Sequence, residues 1–183
     1  PGSKSTVGDL AFLRAQGWDI DLLAHIRRGG HVLGICGGYQ MLGRTISDPE
    51  GIEGAQDSVS GLGLLDVDTV MAPLKRLADV AVTGYEIHIG TTRGADTLRP
   101  WLKMDGADAG ATSPDGKVEG CYIHGLFTSD AFRKSYLAKL GGTSAVSDYS
   151  GAVNKALDAL ADHLELHLNV DELLELAETV EVS

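Results

Sequence analysis

Apolar residues along this chain switch between a helical and a strand period, and each switch marks a predicted element. Helical spacing runs through VGDLAFLRAQ; Ser5 or Thr6, with Asp9 three residues beyond Thr6, makes a capping-box-like start, and Gly17 closes the helix. Asp19 is placed to cap a second helix, IDLLAHIRR, in which Leu22, Leu23 and Ile26 share a face and Arg27 and Arg28 occupy the last turn before Gly29 and Gly30. The apolar run HVLGI predicts a buried strand, followed by a short helix from about Gly38. An acidic loop, SDPEGIEGAQDSVSG, leads to the β-like run LGLLDVDTVMA, and VAVTGYEIHIG and KVEGCYIHGLF read as further strands. DAFRKSYLAKL is a helix that Ser129 caps and that Gly141 and Gly142 end. Beyond it, Val153, Ala156, Leu157, Leu160, Leu164 and Leu168 form one helical stripe, and VDELLELAE forms a last short segment. Helices alternating with buried strands predict an α/β layered fold.

Length and composition fit one domain with a full core: 183 residues, of which 43% are hydrophobic and 22% charged. A net charge of −11, with no cluster of Lys and Arg to offset it, argues against nucleic acid and membrane partners. Two cysteines, Cys36 and Cys121, without a signal peptide or a long apolar run, point to a reducing, cytoplasmic setting rather than a disulfide scaffold.

One of those cysteines sits in GICGG. Gly34-Ile35-Cys36-Gly37-Gly38 matches a G-x-nucleophile-x-G elbow with Cys in place of Ser, after a predicted strand and before a predicted helix. Small flanking residues allow the sharp turn, so the side chain projects from the carboxyl edge of the sheet, where open α/β sheets bind ligands. Backbone N–H groups and the dipole at the start of a helix favour thiolate, so Cys36 is expected to be an activated nucleophile.

A thiol nucleophile needs a proton partner, and the chain offers six histidines. His25 ends a helix, and His31 lies at the base of the strand, about 17 Å of extended chain from Cys36. His163 and His167 are four apart on the terminal helix, but no third metal ligand accompanies them, and no metal is expected. His88 in GYEIHIG and His124 in CYIHGLF both fall near strand ends, and spacing alone does not choose between them. Cys121 lies three residues before His124, so strand alternation points the two to opposite faces and Cys121 reads as a packed thiol.

PGSKST, GICGGYQMLG, GLGLL, GYEIHIG and SPDGKVEGCYIHGLF occur in that order, and together they resemble the class I glutamine amidotransferase domain of the cobyric acid synthase family over nearly the whole chain. The resemblance implies a single amidotransferase domain, residues 1–183, built as a flavodoxin-like sheet flanked by helices with the elbow at Cys36. It implies that Cys36 attacks the side-chain amide of glutamine and that His124 serves as acid and base, with a γ-glutamyl thioester between the two half-reactions. One oxyanion donor is then the Gly37 N–H, and the second comes from the PGSKST loop, from Gly2 or Ser3. Gln40, one helical turn after Cys36, is a substrate-binding candidate, while Tyr39 reads as packing. Tyr85, Glu86 and His88 belong to a shared motif and are candidates for shaping the substrate site; Glu86 and His88 share a strand face.

Many relatives carry His-Pro-Glu at the acid-base histidine, the glutamate orienting the imidazole. Here His124-Gly125-Leu126 supplies no acceptor, so Glu86 is a candidate orienter. The stretch before Gly84 is short for the family, and the start at Pro1 implies that the domain lacks its N-terminal beginning. No cofactor is expected in this chain. The resemblance places ATP and Mg²⁺ in a separate synthetase domain, whose P-loop signature is absent from this sequence, and makes a corrinoid, adenosylcobyrinic acid a,c-diamide, the ammonia acceptor. Two other readings compete: an independent cysteine hydrolase acting on γ-glutamyl substrates, and a non-catalytic binding module with a degenerate site.

Overall fold

A computed structural model describes residues 1–54, 58–80, 84–104 and 106–177. The elements in order are α1 (Thr6–Ala15), α2 (Trp18–Arg27), β1 (Val32–Ile35), α3 (Gly37–Leu42), β2 (Thr45–Ser47), β3 (Ser58–Ser60), β4 (Asp68–Val80) and β5 (Gly84–Arg93). After a short 3₁₀ turn come β6 (Leu102–Met104), β7 (Ala107–Ala109), β8 (Ala111–Thr112), β9 (Val118–Cys121), β10 (Ile123–His124), α4 (Asp130–Lys139), α5 (Tyr149–His167) and α6 (Val170–Leu176). The result is a mixed α/β arrangement of sheets flanked by helices, as the alternation of elements predicts. The expected short stretch before Gly84 falls partly on residues 81–83, outside the described residues.

The chain divides into two compact units, Pro1–Leu126 and Phe127–Ser183. In the first, β1 pairs parallel with β9, and β9 pairs antiparallel with β8. A second sheet runs in the order β10-β5-β4-β2-β3, with β2 and β4 parallel and its other pairs antiparallel. The segment read as one strand, KVEGCYIHGLF, is therefore two: Val118–Cys121 pairs with β1, while Ile123 and His124 pair with Glu86 and Tyr85. That break at Tyr122 replaces simple alternation as the reason Cys121 and His124 serve different surroundings. Cys121 is fully buried, a packed thiol as expected. The acidic loop also contains a strand that the pattern misses, β3, whose three residues SVS pair with β2 at the end of the sheet.

The elbow helix α3 is a wedge between two apolar clusters. Tyr39 and Leu42 pack with Leu65, Val67, Ala111, Val118 and Tyr122, while Met41 packs with Leu10, Ile46 and Met71. Burying several large apolar side chains on one short helix, at about 1.5–3 kcal/mol each, fixes α3 far more firmly than its six residues could by themselves.

The helix starts differ from the pattern-based reading at two places. Ser5 precedes α1, but its side chain makes no cap bond; the carboxylate of Glu53, arriving from the loop, accepts the Val7 N–H at 2.9 Å, and Asp9 instead accepts from the Ser3 hydroxyl. Helix α2 begins after Gly17 in the left-handed conformation, so Asp19 lies inside its first turn rather than at the cap. Glu53 reaches α1 because buried Asp48 accepts the N–H groups of Ile52 and Glu53, both at 2.8 Å, and folds the loop back.

The second unit follows its local signals closely. Ser129, Asp148 and Asn169 cap α4, α5 and α6 by accepting from Phe132, Gly151 and Glu172 N–H groups. Gly141 takes a positive φ after α4. Arg133 ties the segment together, donating to the carbonyls of Phe127 and Val146 and to the Ser144 hydroxyl. The α5 stripe is exposed from Val153 to Leu168. Among the described residues, no helix is long and apolar enough to cross a membrane.

Candidate active site

Cys36 occupies the junction of β1 and α3 with φ 56° and ψ −114°, the one non-glycine among the described residues with positive φ. An L-residue pays for such a conformation with roughly 1–3 kcal/mol of strain, which the surrounding structure must override. The override is visible at Gly34, where a Cβ would lie 2.7 Å from the Gly38 carbonyl oxygen and 2.6 Å from Leu42 Cδ1. Strand and helix thus touch backbone to backbone. The Cys36 N–H donates to the Cys121 carbonyl at 2.8 Å, locking the elbow onto the end of β9.

The Pro1–Ser5 segment lies directly over this elbow. Gly38 N–H donates to the Pro1 carbonyl at 2.9 Å, and a Cβ at Gly37 would come within 2.7 Å of Ser3 Cβ and 3.0 Å of Ser3 N. The N–H groups of Gly37 and Ser3 both act on the Cys36 sulfur, favouring its anion, but burial outweighs them and raises the thiol above its ordinary value. Burial thus works against the activation expected from the helix start. Desolvation, which position at a helix start does not reveal, is the larger effect.

A Cβ on Gly2 would sit 3.0 Å from His124 Cε1 and 3.6 Å from Cys36 Cβ, so the imidazole and the thiol flank one glycine. Its backbone approaches both because it carries no side chain. The Nε2 of His124 is buried without a hydrogen-bond partner, and its ring stacks on Tyr85 at 5.2 Å between centroids and 9° between planes.

These groups line a cavity of 690 Å³ together with Lys4, Thr6, Gln40, Glu53, Met71, Ile87, His88 and Ile89. The sequence-based candidates Gly2, Ser3, Cys36, Gln40, His88 and His124 all meet there, and Tyr85 reaches it through the His124 stack. Gln40 is 3% exposed and already tied: Nε2 donates to the Ile89 carbonyl at 2.9 Å and to Tyr122 Oη at 3.3 Å, while Thr6 Oγ1 donates to Oε1 at 3.1 Å. Both amide protons are used, which leaves one acceptor lone pair on Oε1. Glu86 and His88 share a strand face as alternation requires, and the Glu86 carboxylate meets His88 Nε2 at 2.8 Å. His25 and His31 are exposed and do not line the cavity, the His25 ring lying against the His31 carbonyl. Among the described residues no group of three or more His, Cys, Asp or Glu side chains could hold a metal.

The sequence reading misses Lys4, Thr6 and Glu53. Lys4 and Thr6 lie within PGSKST, whose motif gave Gly2 and Ser3 but no role for these two side chains, while Glu53 comes from the acidic loop, which no motif links to the site.

A cysteine elbow facing two N–H groups and an unpartnered imidazole is the arrangement of a thiol amidase. Residues 1–132 match the family of CobB/CobQ-like glutamine amidotransferase domains. The chain belongs to that family. Relatives similar to it include cobyric acid synthases of Bradyrhizobium diazoefficiens and Rhodobacter capsulatus, each 61% identical over 97% of this chain, and of Ruegeria sp., 59% identical over the whole of this chain. The chain spans 39% of the length of each of those three relatives, so in them the amidotransferase domain is part of a larger protein.

Proposed function

We propose that the chain hydrolyses glutamine to glutamate and ammonia through Cys36 and His124, as the glutaminase part of a cobyric acid synthase. The observation that carries this reading is the strained Cys36 with the Gly37 and Ser3 N–H groups on its sulfur and the buried, unpartnered His124 Nε2 across Gly2. His124 takes the thiol proton as sulfur bonds to the carboxamide carbon, and the displaced π pair becomes an oxyanion held by the two N–H groups. Collapse breaks the C–N bond, His124 returns the proton to nitrogen, and ammonia leaves a γ-glutamyl thioester. Water then adds with His124 as base; collapse releases glutamate and restores the thiol. Ser3 supplies the second N–H of the oxyanion hole, and Gly2 makes the room. Lys4 and Glu53 set opposite charges in the same cavity, which suits the carboxylate and ammonium of a free amino acid.

The ammonia serves ATP-dependent amidation of adenosylcobyrinic acid a,c-diamide, the ATP and Mg²⁺ being held by a synthetase domain outside this chain. Support for that wider role is the similarity to proteins named cobyric acid synthase. An electrophilic glutamine analogue should label Cys36, with excess glutamine and Cys36→Ser each abolishing the label in peptide maps. Absence of labelling would favour a non-catalytic module, and faster turnover of γ-glutamyl peptides than of glutamine would favour an independent hydrolase.

A further inference from the structure

His88 is a second imidazole in the cavity, and the mechanism above leaves it unused. It is 8% exposed, its Nε2 lies 2.8 Å from a Glu86 oxygen, and its Nδ1 is buried with no hydrogen-bond partner. A carboxylate can only accept, so it fixes the proton on Nε2, and in the neutral ring Nδ1 presents a bare lone pair. The ring cannot turn away. It stacks on Tyr122 with centroids 3.6 Å apart and planes 13° apart, and Tyr122 is itself held by Gln40 Nε2 and Thr92 Oγ1. The flanking carbonyls of β5 are taken from the elbow side, Ile87 by Cys36 Sγ at 3.5 Å and Ile89 by Gln40 Nε2 at 2.9 Å. The Cys36 sulfur thus meets β5 at Ile87, the residue before His88, in the same cavity.

A buried acceptor left open beside a thiol that attacks carboxamides costs stability unless a ligand completes it. We propose that His88 Nδ1 accepts an N–H of the substrate carboxamide, so that the site reads the nitrogen of the leaving group and holds it while Cys36 attacks. This rests on the glutaminase reading and deepens it. An oxygen leaving group offers no hydrogen, and the glutamate product presents oxygens to the same lone pair, which disfavours its retention. A pocket built to bond a substrate N–H discriminates strongly against analogues lacking it, because its own polar group is then left unpaired.

The test compares hydrolysis of glutamine with that of glutamate γ-methyl ester by the purified full-length protein. His88→Phe keeps a flat ring against Tyr122 and removes both nitrogens; His88→Asn restores an acceptor near the Nδ1 position. With His88→Phe, kcat/KM for glutamine should fall about tenfold or more, while that for the ester stays within about twofold of wild type. His88→Asn should recover part of the glutamine loss. Equal losses for both substrates, or an unchanged preference in His88→Phe, would overturn the assignment. A Cys36→Ala protein that hydrolyses both substrates like wild type would instead overturn the underlying reading, and the assignment with it.

Discussion

The two strand ends that meet at Gly2 are constrained by different means. At Cys36 the constraint is backbone against backbone: Gly34 touches Gly38, Gly37 touches Ser3, and the Cys36 N–H is held by the Cys121 carbonyl. At His124 it is side chain against side chain, a two-residue strand paired with β5 and a ring stacked on half-exposed Tyr85. Backbone crowding cannot be relieved by turning one torsion, whereas a stacked ring can shift a little. In the proposed reaction this division suits the two roles, a fixed sulfur and an imidazole able to serve sulfur, nitrogen and water in turn.

The largest effect should come from removing the fixed partner. Cys36→Ala is expected to lower glutamine turnover by about 10³-fold or more, since no other group supplies the covalent step. His124→Ala should cost roughly 10²–10⁴-fold, the usual worth of a positioned acid-base group. Coupled measurement of glutamate release checks both, and a His124→Ala protein as active as wild type would remove the imidazole from the mechanism.

Next in size is the contrast between the two cysteines, which lie within one hydrogen bond of each other along the backbone. Burial pushes the Cys121 thiol up to about 12, and raises Cys36 more modestly against the two N–H groups. Iodoacetamide should therefore modify Cys36 in the folded protein and spare Cys121 until unfolding. Because the Cys36 value is raised, its thiolate fraction, and with it the alkylation rate, should keep climbing with pH beyond the range where an ordinary cysteine levels off. A plateau at lower pH, read by timed peptide mapping, would mean that a thiolate is already formed.

The same contrast governs what could be read from residues alone. The elbow was legible because its constraint is local: five consecutive residues, GICGG, state both the cysteine at the turn and the glycines that let strand and helix touch. His124 was not separable from His88 by spacing, since its place depends on pairing with Tyr85 across 39 residues of sequence, and it was the ordered set of motifs that singled it out. The Glu86–His88 pair followed from strand alternation. The α1 cap did not follow from its own sequence, because the acceptor is Glu53, carried in by a loop that buried Asp48 shapes. The burial of Cys36 escaped for a similar reason: helix geometry is visible locally, desolvation is a property of the folded surroundings.

Gly34→Ala tests the backbone side of the contrast by stability. Its Cβ would fall inside contact distance of the Gly38 carbonyl, and one methyl group there should cost about 1–3 kcal/mol or more, as overpacking does, together with loss of Cys36 labelling. Thermal melts and the glutamine-analogue assay on the same sample check it. Unchanged labelling with an unchanged melt would show that the elbow tolerates widening.

The smallest effect should come from the side-chain constraint. Tyr85 contributes a ring parallel to His124, and such stacks are worth about 0.5–1.5 kcal/mol. Tyr85→Ala should therefore reduce kcat by roughly twofold to tenfold, through a less well placed imidazole, with little change in the melt because Tyr85 is 48% exposed. Tyr85→Phe keeps the stack and should stay near wild type. If Phe loses as much as Ala, the hydroxyl rather than the ring face holds His124, and the side-chain constraint would be directional, closer in kind to the one at Cys36.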